Sequence, residues 1–265
     1  MKKIAIRKDD TKIEKKKKEL QHIINSGNDK WFFLAVDPKI EDLLKQINEN
    51  KTKLSDLNDK KKGTIEYIDS YGYECEVACT EDLEIAVLES ELWVENDINE
   101  FQLLSIAFMK IIYLYMNFEM SLKKIISHSF ESCNMRELYK WENFKSFSNS
   151  IDIDPSSIKK FNHINQLRIV NNNIKHSSMI EELTKKQDIK EFKNKDYFDF
   201  QSLHAFYLRI IDAPNAFLED FANKIICNLY VYDQIRLQKI AKEYTNKMDK
   251  ATGQKFVQIL SDYFK

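Results

Sequence analysis

The segment FQLLSIAFMKIIYLYMNF, residues 101–118, decides what kind of protein this chain can be. Phe101, Leu104, Phe108, Ile111, Ile112, Tyr115 and Phe118 keep a helical period, and Leu122 and Ile126 continue it, so the spacing predicts one long helix over about 99–130. That helix is apolar nearly all round, which suits either a membrane span or a helix buried on several sides. Lys110 sits near its middle, where a charge at the centre of a bilayer would cost roughly 2.5–3.5 kcal/mol. The segment therefore reads as a buried helix, in the middle of a bundle or with one face left for a partner chain. Glu119 is the conspicuous polar intrusion, either a boundary carboxylate reaching water or a site residue.

The rest of the chain agrees with a helical protein. Four Gly and three Pro in 265 residues are too few for sandwiches, Gly-rich phosphate loops or doubly wound sheets, which need those residues at their turns. Neither a Walker nor a Rossmann loop, a GxSxG elbow or an HExxH pair occurs. Forty-one basic residues against 42 acidic ones leave no global field to draw in nucleic acid, so a basic site must be local. The first 30 residues lean positive, as a nucleic-acid arm or a solvated helix would. They lack an apolar core like that of a signal peptide, so a cytoplasmic protein with no membrane association is expected. Cys75, Cys79, Cys133 and Cys227 are few and scattered, as reduced thiols are, and no His completes a zinc site. No metal and no cofactor is expected.

Residues 11–62 read as helices broken by NSGNDKWFFLAVDP, with Gly27 and Pro38 as punctuation and Trp31 to Leu34 as an apolar anchor. Alternation of Ile65, Tyr67, Tyr71, Tyr73, Cys75 and Val77 admits a short β-hairpin at 64–78, with helix from about Glu81. After the long helix come a shorter helix and a loop, then a helix from Ile158 to His176 for which Pro155 and the following serines supply the start signal. Two long stretches follow, 199–230 split or kinked at Pro214 and a surface helix at 232–262. The expected fold is all-α, with a mostly helical N-terminal extension over 1–96 and a helical bundle over 97–265.

The chemistry concentrates in NQLRIVNNNIKHSS, residues 165–178. On a helix, Leu167, Val170 and Ile174 form a core stripe. Arg168, Asn172 and His176, spaced i, i+4 and i+8, form a polar row about 12 Å long on the other side. Asn165 extends the row, and Asn171 and Lys175 flank it. Phe161 projects close to Arg168, so something covers that end, and a second protomer is one such cover. An imidazole can move a proton to or from a ribose oxygen, a guanidinium can hold a phosphate in two-pronged fashion, and an Asn can orient either. One His serves poorly as acid and base at once, so pairing the row with its copy makes a homodimer a functional expectation. The plainer alternative is a solvated helix end, where cations suit the helix dipole. His22, His128, His163 and His204 read as scattered boundary or surface residues, and Asp152 and Asp154 as turn chemistry.

These residues resemble the motif of the HEPN superfamily, all-α bundles of bacterial toxins, abortive-infection proteins and RNA-cleaving antiviral effectors. NNNIKH matches the Asn-x-x-x-His part of that motif through Asn172 and His176. The family's Arg would fall at Asn171, and Arg168 stands one turn earlier. The resemblance covers about 99–230. It implies a homodimeric, metal-independent endoribonuclease acting on tRNA or mRNA, with His176 as acid or base, Arg168 as phosphate clamp and Asn172 as positioning residue. Lys175, Asn171 and Glu119 would support them, and a cognate antitoxin or defence-system partner is implied as well. A HEPN-like module that binds without cleaving, and an unrelated helical adaptor using the basic N-terminal arm, are the competing readings.

Overall fold

A computed structural model describes residues 10–26, 30–71, 73–78, 80–130 and 140–263. The fold is all-α, with one hairpin among the described residues. Its helices are α1 (Asp10–Ser26), α2 (Lys30–Asn58), α3 (Thr80–Ser129), α4 (Trp141–Ser150), α5 (Phe161–His176), α6 (Glu182–Lys185), α7 (Phe200–Ile210), α8 (Ala213–Tyr230), α9 (Gln234–Thr245) and α10 (Lys250–Tyr263). Strands β1 (Thr64–Ile68) and β2 (Glu74–Ala78) pair antiparallel, with Tyr67 opposite Cys75. This is where alternation admitted a hairpin. Asp69 closes its turn by accepting from the backbone N–H groups of Tyr71 and Tyr73. The apolar anchor read at Trp31 to Leu34, the lysines before residue 10, Gly27, and the side chains of Cys75, Cys79 and Cys133 lie outside what is described.

The long apolar helix is longer than its pattern predicts. α3 runs 50 residues, straight through residue 96, where the N-terminal extension was expected to end. By length and composition it could cross a membrane, and 39% of its most apolar window is buried inside the fold. Lys110 is buried within it, donating to Asp37 Oδ1 of α2 at 2.7 Å and lying 4.3 Å from the centre of the Tyr207 ring. The C-terminal half of α3 supplies Ile111, Phe118, Ile125 and Ile126 to the main core. Facing them are Ile164, Leu167 and Val170 of α5, Leu203 and Phe206 of α7, Phe217 and Phe221 of α8, and Leu20 and Ile24 of α1. Edge-to-face aromatic pairs lock this core, including Phe118 on Phe217 and Phe144 on Phe221.

The N-terminal half of α3 pairs with α2 in a different way. Ile40, Leu43, Ile47, Asn50, Leu54 and Leu57 alternate spacings of three and four along α2. So do Ile85, Glu89, Leu92, Asn96, Asn99 and Leu103 along α3. Such a rhythm is that of a coiled-coil seam, and here it forms an antiparallel arm with the β-hairpin at its tip. Pro38 does not break α2, contrary to its reading as punctuation. A proline inside a helix costs about 3 kcal/mol, and the Asp37–Lys110 ion pair together with buried Ile40 and Leu43 holds both sides of it in place.

Midway along the arm the seam turns polar. Asn50, Asn96 and Asn99 are buried, and the amide nitrogens of all three, with Asn96 Oδ1, have no hydrogen-bond partner among the described residues. A polar seam layer fixes register at a cost in stability. Asn96→Leu is therefore expected to stabilise the chain by about 1–3 kcal/mol, the size of an unsatisfied buried amide. Urea unfolding checks this, and a destabilised variant would mean that the amides are solvated in place.

Two other sequence boundaries shift. Pro155 opens a separate 3-10 turn, Pro155–Ser157, capped by Asp154, and α5 begins only at Phe161 after Lys160 adopts a left-handed φ of 61°. The expected single helix at 232–262 is two, with Asp249 capping the second through Thr252. The break near Pro214 falls where expected, between α7 and α8.

Candidate functional site

α5 places its apolar side as the pattern requires, with Ile164, Leu167 and Val170 fully buried against α3, α7 and α8. The polar row divides into two environments. At its C-terminal end Asn172, Lys175 and His176 are exposed on an open face. Asn172 is oriented from below: its Oδ1 accepts from Nδ2 of Asn171 at 3.2 Å, and Asn171 is wholly buried. Asn171 therefore lies under the row and acts through Asn172, not beside it in solvent.

At the N-terminal end the row is covered from within the chain. Trp141 of α4 stacks on Phe161 with ring centres 5.5 Å apart, and the Arg168 guanidinium lies 5.7 Å from the centre of the Trp141 ring. Within the chain, Trp141 is what covers part of Phe161. Arg168 Nη2 donates to Asn165 Oδ1 at 3.1 Å, and Asn165 in turn donates to Gln187 Oε1 at 3.2 Å. A helical side chain leans toward the N-terminus, so Arg168 turns away from His176. They stand eight positions apart, so about 12 Å of helix rise separates their backbones. The structure puts Arg168, Asn172 and His176 on one helix side but does not bring Arg168 and His176 of one chain onto a common atom.

Arg168 also acts on Tyr115 of α3. Burial and the nearby Glu119 carboxylate push the Tyr115 phenol up to about 12, and Arg168 opposes them. Glu119 itself is taken up by Lys123, which donates to its Oε1 at 2.7 Å. Two polar atoms beneath the row, Arg168 Nε and Asn171 Oδ1, are buried without a hydrogen-bond partner among the described residues. Among the described residues no three His, Cys, Asp or Glu side chains converge on a point that could hold a metal ion.

Sequence reasoning passed over Asn173. It is buried and ties the loop after α5 to the helix. Its Nδ2 donates to Met179 O at 2.7 Å, and its Oδ1 accepts from Glu181 N at 2.9 Å and Thr184 Oγ1 at 2.8 Å. Nothing in a run of three asparagines distinguishes the two that are buried, Asn171 and Asn173, from the exposed Asn172 except their offset from Leu167 and Val170. A second overlooked cluster is Arg209, which holds Glu191 in two-pronged fashion at 2.7 and 3.0 Å and Gln166 at 3.1 Å. Burial alone would raise the Glu191 carboxyl, but the Arg209 bonds bring it below its ordinary value.

His163 and His204, read as scattered, both titrate below the ordinary 6.5. For His163 the cause is burial, then Lys160 and Arg209; for His204 it is burial, then Lys110, with Asp37 opposing. Their protons bind the unfolded chain more tightly than the folded one. Stability should thus hold above about pH 6.5 and fall as pH drops below it toward the depressed folded values. His204→Gln, which keeps a planar group beside Phe200, should flatten that slope. Melting curves between pH 7.5 and 5 check this, and a variant with an unchanged slope would remove His204 as a contributor.

Comparison with protein-family models, with curated proteins and with solved structures finds no match to this chain.

Proposed function

We propose that this chain is a metal-independent endoribonuclease of HEPN type, acting as a cytoplasmic homodimer within a toxin or phage-defence system. The observation that carries this reading is the open C-terminal end of α5. There an exposed imidazole, an exposed ammonium and an amide fixed from below by a buried neighbour share one face. The row is symmetric about Asn172, with Arg168 four residues before it and His176 four after. A two-fold axis through Asn172 would lay two α5 helices antiparallel and set the partner's Arg168 opposite His176. That pairing removes the 12 Å problem, since each site takes its base and its phosphate clamp from different chains. His176 then accepts the 2′-hydroxyl proton, the 2′-oxygen attacks phosphorus, and the 5′-oxygen leaves with a proton from water, giving a 2′,3′-cyclic phosphate end. Arg168 and Lys175 face the charge that gathers on the phosphate. A cognate antitoxin or defence partner would keep such an activity in check.

One observation favours a second reading, a HEPN-like module that binds RNA or a partner without cleaving. Arg168 is spent on Trp141 and Asn165 inside its own chain. Incubation of the purified protein with tRNA and with mRNA in EDTA separates the two. Cleavage with cyclic phosphate ends supports the nuclease, binding without cleavage supports the module, and neither binding nor cleavage counts against both.

A further inference from the structure

Among the described residues, two surfaces are left without a cover, and their chemistry is complementary. The first is on the arm. Opposite the seam with α2, α3 carries Leu83, Val87, Val94, Ile98 and Phe101 at spacings of three, four or seven residues, each between 52 and 70% exposed. Together they leave on the order of 500 Å² of apolar surface uncovered, the size at which such a patch marks an interaction site. Its rims are acidic. Glu84, Glu91 and Glu95 lie along one edge of the stripe and Asp97 and Glu100 along the other, and residues 80–100 hold eight carboxylates and no Lys or Arg.

The second surface is the C-terminal helix pair. No described residue between 231 and 262 is buried, and Leu237 of α9 with Val257 and Leu260 of α10 stand 41 to 66% exposed. Residues 234–263 carry six Lys or Arg against three Asp or Glu. α9 and α10 touch each other and are pinned at one end by Arg236, which donates to Cys227 O and Val231 O at the end of α8.

We propose that α9 and α10 of one copy dock on the acidic, apolar stripe of α3 in a second copy. The other candidates fit less well. Packing the stripe against itself would set carboxylate rims together. An anionic lipid surface is repelled by the same rims. α1, the other lysine-rich helix, already spends Leu20, Ile23 and Ile24 on its own core. A cationic apolar helix pair satisfies both the stripe and its edges, in the manner of a third strand added to a coiled coil. The contact closes when made twice about a two-fold axis, and two such patches reach the size of a standard interface. This contact is the one that holds the two copies together, the α5 pairing being made within the dimer it forms, and it does not depend on the chemistry assigned to α5.

Mixing unlabelled and 15N-labelled chain, treating with a zero-length carbodiimide and sequencing the products tests it. Heavy-to-light adducts should join carboxylates within 81–100 to lysines within 239–255. The exposed-site variant Val94→Asp with Phe101→Asp should weaken self-association at least about 100-fold with an unchanged melting curve. Lys250→Glu with Lys255→Glu should weaken it too and be restored by Glu91→Lys with Glu95→Lys. A monomer at all concentrations, adducts confined to other segments, or self-association indifferent to the α3 variant would each overturn the proposal. His176→Ala should leave all of these readouts unchanged, so failure of the ribonuclease reading is a separate result.

Discussion

His176→Ala is expected to lower RNA cleavage by about 10² to 10⁴-fold, the range for loss of a general acid or base, with no change in melting temperature. The side chain is exposed in the last turn of α5 and packs into no core, so its removal costs the fold nothing. Arg168→Ala should behave differently. It lowers cleavage and also destabilises the chain, because the guanidinium covers Trp141 and bonds Asn165. The sharper result comes from mixing the two inactive variants. If each site takes His176 from one chain and Arg168 from the other, a mixed dimer holds one intact site and one that lacks both groups. Half the dimers of an equal mixture are mixed, so activity should return to about one quarter of wild type, given a two-fold symmetric pair. If Arg168 and His176 of the same chain made a site, mixing would restore nothing. The experiment therefore tests the composite arrangement and not merely the importance of two residues.

The buried half of α5 was legible from spacing because only apolar periodicity was needed, and Ile164, Leu167 and Val170 sit where that period puts them. The length of α3 was not. Its first 20 residues alternate between two weak apolar stripes, one for α2 and one left open, which together blur the single stripe that marks an amphipathic helix. Pro38 misled for a related reason. Local preference says break, and packing on both sides overrides it. In the candidate site, helical projection put Arg168, Asn172 and His176 on one side of α5 but carried no information on Trp141, which reaches the row from another helix. Side-chain direction was legible in principle, since a helical Arg leans back toward the preceding turn. That lean is what separates Arg168 from His176.

Asn173→Ala should be the most damaging substitution of the three adjacent asparagines, with a loss of about 3 kcal/mol, the cost of stranding several buried partners. Removing the amide leaves Met179 O, Glu181 N and Thr184 Oγ1 without the group that pairs them. The cavity is small and the site enclosed, since Asn173 and Thr184 are both nearly fully buried. Asn173→Asp should not rescue it. A carboxylate can accept from Glu181 N and the Thr184 hydroxyl, but it faces Met179 O with no proton to give, and it brings an unpaired charge into a buried place. Asn172→Ala, at the adjacent and exposed position, should cost only about 1 kcal/mol by stranding the Asn171 amide it accepts from, and should lower cleavage or RNA binding. Because the loop tied down by Asn173 leaves α5 directly after His176, its loss should also loosen the helix end that aims the imidazole. Urea unfolding of both variants decides the matter: equal stabilities would show that the loop after α5 is held by something other than Asn173.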